Sequence, residues 1–268
     1  MYRKLYGIIE TYAPLHVGAT AGEENGNLNL IFRDQFTQTG IVNGSSIRGR
    51  LRADMRQYYS YLNKQNGEGE IAPENHEDFW YGKKAQHGVA DSTTEAIINI
   101  EHASIVWLPV FCPGQPIVWV SCPSLLERYK RIANIKEKPP EPYFGSKDLK
   151  ALESKSNDRN LRGKKVLFFN LGFITVEQVE GKNEAEKNKN QLQQQFEAYF
   201  PKRKDLPAIV VDDNDMGMIH DMALYRQSRV ALEDGMKKAQ KGAFFNTEAL
   251  PEKTILAFPI AMKPTDKE

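Results

Sequence analysis

The sequence predicts an α+β fold, an antiparallel sheet carrying helices and long polar insertions. Strand-like apolar runs alternate with helical stretches, tight turns join runs that are neighbours in sequence, and polar segments too irregular for either pattern separate them. At 268 residues, with 40% hydrophobic and 26% charged, the chain can bury a core without disulfides or a metal staple. No run approaches the roughly 18 to 20 apolar residues a bilayer needs, and residues 1–18 lack the apolar stretch of a signal peptide, so the expectation is a cytoplasmic protein with no membrane partner. Cys112 and Cys122 show neither CxxC nor zinc spacing and read as buried thiols.

KLYGIIETY (4–12) alternates as a half-buried strand, which Pro14, Gly18 and Gly22 then break. ATAGEENGNLNL (19–30) is rich in Gly and Asn and reads as a surface loop. Asn43 and Gly44 then make a turn, Ser45 or Ser46 can cap a helix, and Ile47, Leu51, Met55, Tyr58 and Leu62 repeat at helical spacing. Residues 63–95 form an irregular insertion with FWYG (79–82) as its anchor. Runs 95–110 and 116–122 read as strands joined by the CPGQP turn, and Pro123 opens the helix SLLERYKRI. After a Pro-rich spacer (136–147) come two strand-like runs within 165–180. The polar stretch 181–205 has few apolar anchors and reads as a projecting insertion or mobile helix. LPAIVV, a helix from Asp212 or Asp213, RQSRVALE and TILAFPIAM complete a strand, helix, strand, strand series. A ferredoxin-like, RNA-recognition-type core with large insertions fits this order.

Thirty-six basic against 35 acidic residues leave a net charge of +1, so any polyanion must be held by a local patch. The densest patch is Asn43-Gly44-Ser45-Ser46-Ile47-Arg48-Gly49-Arg50-Leu51-Arg52. A helix start offers free N–H groups and a partial positive charge, and two hydroxyls with Arg48, Arg50, Arg52 and Arg56 surround it, opposed by Asp54. The same pattern also describes an ordinary cap with solvated arginines. It is neither a Walker loop nor a nucleophile elbow. Lys237, Lys238 and Lys241 precede Gly242 in a second basic, glycine-containing loop. His16 sits between a strand and two glycines, where either a base contact or packing suits it; His76, His87, His102 and His220 have no metal-ligand spacing. Asp212, Asp213 and Asp215 lack the pattern of a calcium loop and read as helix-start residues. Trp80, Trp107 and Trp119 lie in apolar surroundings that suit core packing.

Four stretches together resemble the RAMP superfamily of CRISPR effector subunits, and within it the repeated backbone subunit of the type III-B Cmr complex. These are PLHVGATAG (14–22), RDQFTQTGIVNGSSIRGRLR (33–52), PIVWVSCPSLLERYKR (116–131) and SRVALEDGMKKAQKGAFFNTEALPEKTIL (228–256). The resemblance runs from residue 6 to about 258, with gaps at 63–95 and 135–205, over what it implies is a single RAMP domain spanning 1–268 with a thumb or insertion region at 163–205. It implies copies stacked as a filament on a CRISPR RNA, a target RNA paired to that guide, and other type III-B effector subunits as neighbours. Base pairing would then read sequence while protein holds backbone and shape. It places His16, Asn43, Ser45, Ser46, Arg48 and Arg50 on a guide-holding segment and Lys241 with Gly242 on a second one.

One position departs from the family. The loop aspartate that active relatives use for metal-dependent cleavage of target RNA falls here on Leu28. Leucine supplies neither a base nor a metal ligand, so the expectation is a guide-binding subunit whose own cleavage is impaired. The alternatives are an active endoribonuclease using Glu23, Glu24 or Asp34 with Mg or Mn, and an unrelated phosphate-binding module.

Overall fold

The computed structural model describes every residue except 1, 19–27, 67–72, 84, 86–87, 90–91, 171, 178–184, 202–205, 233–238 and 265–268. Strands β1 (Arg3–Glu10), β2 (Leu28–Asn29) and β3 (Ile41–Val42) precede helix α1 (Gly44–Asn66), the short helix α2 (Glu77–Tyr81) and strand β4 (Ile98–Ile100). The hairpin of β5 (Ala103–Cys112) and β6 (Gln115–Ser121) leads into α3 (Pro123–Ala133). There follow β7 (Leu152–Glu153), β8 (Lys165–Phe169), β9 (Gly172–Val176), α4 (Ala185–Tyr199), β10 (Ala208–Val210) and α5 (Asp213–Ala223), then β11 (Tyr225–Leu232), β12 (Ala239–Ala249) and β13 (Ile255–Met262). The architecture is mixed α+β and its strand pairs are mostly antiparallel, as the sequence predicts.

The chain divides into two compact units, a smaller one of 1–7, 42–103 and 258–268 and a larger one of 8–41 and 104–257. In the larger unit β5, β6 and β10 are neighbours in that order. Pro113 and Gly114 turn β5 into β6, with Gly114 at a φ of 85° that an L side chain resists, and Cys112 faces Gln115 across the turn. Nearly every residue of β5 is buried, which suits a strand covered on both faces. β10 adds parallel to β6, pairing Ala208 with Trp119. Pro123 opens α3 where its missing N–H costs nothing, and Asn134 ends it in the left-handed conformation. The preceding Cys122 provides no side-chain cap. Asp213 of α5 does so instead, accepting from Ser124 N (3.0 Å) and Ser124 Oγ (2.6 Å). Asp212 caps its own helix through Asn214 N, and Asp215 accepts from the Tyr143 hydroxyl. Both cysteines are buried and free, and burial raises both thiol pKa values.

Three sequence expectations change. The stretch 181–205 contains core anchors: Phe196, Tyr199 and Phe200 share one face of α4 and its end, and all three are buried with Trp107, Leu126 and Tyr129. The Trp107 ring lies 4.9 Å from that of Phe200, and its indole donates to the Tyr199 carbonyl at 2.8 Å. A helix is one of the two forms expected of this stretch; what the polar run ahead of these aromatics hid is its dense apolar patch. Trp80 is not in the buried core; it is half-buried and donates to the Glu74 carbonyl. Lys241 and Gly242 belong to strand β12 rather than a loop, because β11 pairs antiparallel with β12 from Tyr225–Ala249 onward.

Phe196→Ala should cost about 3–5 kcal/mol, the range for emptying a buried aromatic site. Urea unfolding checks this. A much smaller loss would mean that α4 packs loosely, and a form lacking 183–203 would then fold.

Candidate nucleic-acid interface

In the smaller unit, α1 begins directly after Asn43, whose carbonyl accepts from Ser46 N (3.0 Å) and Ile47 N (3.1 Å). Ser45 and Ser46 therefore lie in the first turn instead of capping it. A Cβ at Gly44 would collide with the Ile100 carbonyl and Glu101 backbone, so this glycine serves close packing inside the protein. Gly49 is different: a Cβ there meets nothing within 4 Å. Ser45, Ser46, Gly49 and Arg50 are exposed on the first turns of α1, where backbone N–H groups are least satisfied. Arg50 pairs with Asp54 at 2.9 Å, yet its side chain remains 78% exposed, so this i,i+4 pair holds it only weakly.

The other arginines of α1 have a different task. Arg48, Arg52 and Arg56 repeat every four residues along one helix face. Arg48 donates to the Tyr81 carbonyl, Arg52 pairs with Asp78 at 2.5 Å, and Arg56 bonds Glu77 at 2.7 Å. Together they fasten α2 to α1. Burial of Glu77 disfavours its charged form, but the Arg56 hydrogen bond, a backbone hydrogen bond and the charges of His76 and Arg56 together outweigh this and hold its pKa below the usual value. His76 caps α2 by accepting from Asp78 N, and its ring meets Tyr59 edge-on with centroids 4.9 Å apart.

In the larger unit a polar network surrounds Glu248, whose side chain is 2% exposed. Arg33 reaches both Glu248 (3.3 Å) and Asp221 (2.5 Å), and Arg226 approaches Glu248 at 3.4 Å. His16, half-buried, places Nδ1 2.6 Å from the Glu248 carbonyl, which makes Nδ1 the protonated nitrogen of the neutral ring and leaves Nε2 as acceptor. His220 is fully buried; its Nε2 accepts from Gly40 N at 2.9 Å, so Nδ1 carries the proton toward Asp221 at 3.4 Å. The His220 hydrogen bond, with Arg33 beside it, holds the Asp221 carboxyl down to about 2. Burial pushes the His220 pKa below its ordinary 6.5 despite Asp221.

Asp34 accepts from Phe36 N, Thr37 N and Thr37 Oγ1 through one oxygen, the chemistry of a turn staple. Leu28 and Asn29 pair parallel with Asn246 and Thr247 of β12. Glu23 and Glu24 lie outside the described residues. No group of three His, Cys, Asp or Glu able to hold a metal ion occurs among the described residues. Glu248 faces two arginines, a setting that disfavours a bound cation, so among the described residues the donors around Glu248 do not fit a cleavage metal. Sequence reasoning missed Arg33, Asp221 and Glu248 as partners. Their only trace was the NTEALP stretch and the RD pair at 33–34, which identify positions without showing that they meet.

A family model described as the RAMP superfamily matches residues 8–267. Among solved structures, the chain is similar to a subunit of the type III-B Cmr-beta complex bound to cognate target RNA, with a TM-score of 0.63 at 16% identity over 98% of this chain and 85% of the other. The apo state of Cmr-beta aligns with a TM-score of 0.58 at 18% identity, over 98% of this chain and 85% of that one. Oligomeric Cmr4 from Pyrococcus furiosus aligns with a TM-score of 0.56 at 17% identity, over 100% and 84% of the two chains. No curated protein matches the chain. No helix among the described residues is long and apolar enough to cross a membrane.

Because the folded pKa of His220 is depressed, the unfolded chain binds the extra proton first as pH falls. The stability this contributes is fully present above the ordinary value of 6.5 and is lost progressively below it. His220→Gln should flatten the fall in urea midpoint between about pH 6.5 and 5. An unchanged slope would locate that pH dependence in other groups.

Proposed function

The chain belongs to the RAMP superfamily, and from that premise we propose that it is a guide-RNA-holding backbone subunit of a type III-B-like RNA-guided effector. In this reading several copies line up on one CRISPR RNA, a target RNA pairs with the guide, and other effector subunits complete the assembly. The observation that carries it is the exposed start of α1. Ser45, Ser46 and Arg50 surround the open position at Gly49, so a phosphate backbone can approach first-turn N–H groups, hydroxyls and one available guanidinium together. Asn43 supports that turn, and Arg48 acts from behind it by fastening α2. Lys241 and Gly242 on β12, with His16 held to the neighbouring Glu248 carbonyl, are the second segment proposed to meet RNA. A net charge of +1 suits a protein that needs only a short cationic track per copy.

Target cleavage by this subunit is proposed to be impaired. Leu28 brings no carboxylate, Asp34 is committed to its turn, and Glu248 is neutralised by arginines. The sequence range 163–205 is proposed as the thumb or insertion region, its outward part being the β8–β9 pair, where Phe168 and Phe173 face each other across the strands and stay exposed.

Arg50→Ala should weaken guide RNA binding for any guide sequence and reduce the slope of log affinity against log salt by about 0.7, the increment for one phosphate contact on a single strand. Arg48→Ala should leave the slope nearly unchanged and lower thermal stability instead. Equal slopes for wild type and Arg50→Ala would make Arg50 an ordinary surface charge. For cleavage, the assembled complex with matched target RNA and magnesium or manganese should yield no regular cuts, whereas Leu28→Asp should introduce them; cuts by the unmodified protein that vanish with Glu23→Ala and Glu24→Ala combined would overturn the impaired reading.

A further inference from the structure

His16 is held at its backbone and at one ring nitrogen, which leaves the other nitrogen in a fixed place. Leu15 and Leu250 exchange both backbone hydrogen bonds, at 2.9 and 2.8 Å, and the Val17 carbonyl accepts from Phe32 N at 3.0 Å, so the chain is tied immediately before and after the histidine. Nδ1 lies 2.6 Å from the Glu248 carbonyl, which can only accept, and it therefore carries the proton of the neutral ring. Nε2 is the remaining acceptor and has no hydrogen-bond partner among the described residues. The ring is half-buried, and beside Nε2 is the exposed Gly18, where an added Cβ would stand 3.2 Å from that nitrogen. A lone pair is thus kept open by the absence of a side chain at position 18.

The acceptor character selects the partner. Along a nucleic-acid backbone the phosphate and sugar-ring oxygens only accept, and the sole donor is the ribose 2′-hydroxyl. A neutral imidazole lone pair repels a phosphate oxygen, so it suits a different part of the strand from an arginine. Donors on the bases lie on the edges that pairing between guide and target engages. A divalent cation also suits a free imidazole nitrogen, but the Glu248 carboxylate is neutralised by Arg33 and Arg226, and no group of three His, Cys, Asp or Glu able to hold a metal occurs among the described residues. The hydroxyl is left as the match.

We propose that His16 Nε2 accepts a hydrogen bond from a ribose 2′-hydroxyl, which makes His16 a residue that distinguishes RNA from DNA. The proposal rests on the RNA-holding reading above and specifies the chemical group that His16 recognises. Glu248 is then a positioning residue, since its carbonyl fixes which nitrogen can accept.

Changing both sides of the contact tests it. Affinities are measured in EDTA on oligo(A) and oligo(U) carrying 2′-hydroxyl, 2′-fluoro or 2′-deoxy sugars; fluorine keeps the RNA sugar pucker and cannot donate. His16→Asn retains a donor for the Glu248 carbonyl and lacks the far nitrogen, whereas Gly18→Ala keeps the histidine and crowds that nitrogen. With His16→Asn the preference for RNA over 2′-fluoro RNA should fall by about three- to tenfold per bound copy, the worth of one net hydrogen bond, and with Gly18→Ala it should fall in the same direction. Arg50→Ala should weaken all three sugars alike and leave the preference intact. An unchanged preference in both variants, each melting like wild type, would overturn the contact while leaving the RNA-holding reading standing. So would equal weakening on every sugar, the mark of a phosphate contact, or a loss confined to one base. A preference that appears only when magnesium replaces EDTA would put a cation at Nε2 instead. A wild type that binds none of the oligonucleotides would remove the RNA-holding reading and this contact together.

Discussion

A carboxylate with 2% of its side chain exposed has to be paired, and the larger unit is arranged to pair Glu248. Arg33 does so from the strand-like entry to the 33–40 turn, Arg226 from β11, and Asp221 at the end of α5 takes the other side of the Arg33 guanidinium. A turn near the start of the chain and two consecutive elements near its end thus converge on one charge. The same residue's carbonyl fixes the His16 ring, and His220 ties α5 to the Gly40 backbone. A Cβ at Gly40 would press into the side-chain ends of Ile31 and Leu250 and approach His220, so a larger residue there would make these side chains shift. The tautomers of both histidines follow from these bonds, which leaves His16 Nε2 as the acceptor near Gly18.

The smaller unit solves a different problem, the concentration of positive charge on α1. Four arginines within nine residues would repel one another and scatter if all were solvated. Three of them, at i, i+4 and i+8, are instead absorbed by Tyr81, Asp78 and Glu77 of α2. Arg50, on another face, keeps a mostly exposed guanidinium beside the hydroxyls of the first turn. Cationic residues that look equivalent in a motif are thereby divided into three that fasten α2 and one, Arg50, that does not. In the proposed reading, this division lets a chain of near-neutral net charge present a local anion site without a diffuse basic face.

Much of the fold was legible because it rests on local rules. The CPGQP turn, Pro123 at a helix start and the apolar runs on either side of the turn each act over a few residues, and β5, β6 and α3 follow them. What was not legible depends on partners far away in sequence. α4 looks solvated until Trp107 is placed beside Phe196 and Phe200, and Asp213 looks like a cap of its own helix until Ser124 is seen against it. The same holds for the candidate site. Sequence singled out 43–50 correctly as a helix start, but nothing in its spacing separates Arg48 from Arg50, because that depends on where the Tyr81 carbonyl lies. The β11–β12 pairing likewise converts an apparent glycine loop into a strand carrying Lys241 and Gly242.

The central claim is that this chain holds a guide RNA along its length as one of several copies. Native mass spectrometry of the protein assembled on single-stranded RNAs of increasing length tests it most directly. The account predicts that copies per RNA rise in regular steps as the RNA lengthens, each step adding one protein for a fixed number of nucleotides. A single bound copy at every length, or a protein that stays free of RNA throughout, would contradict it.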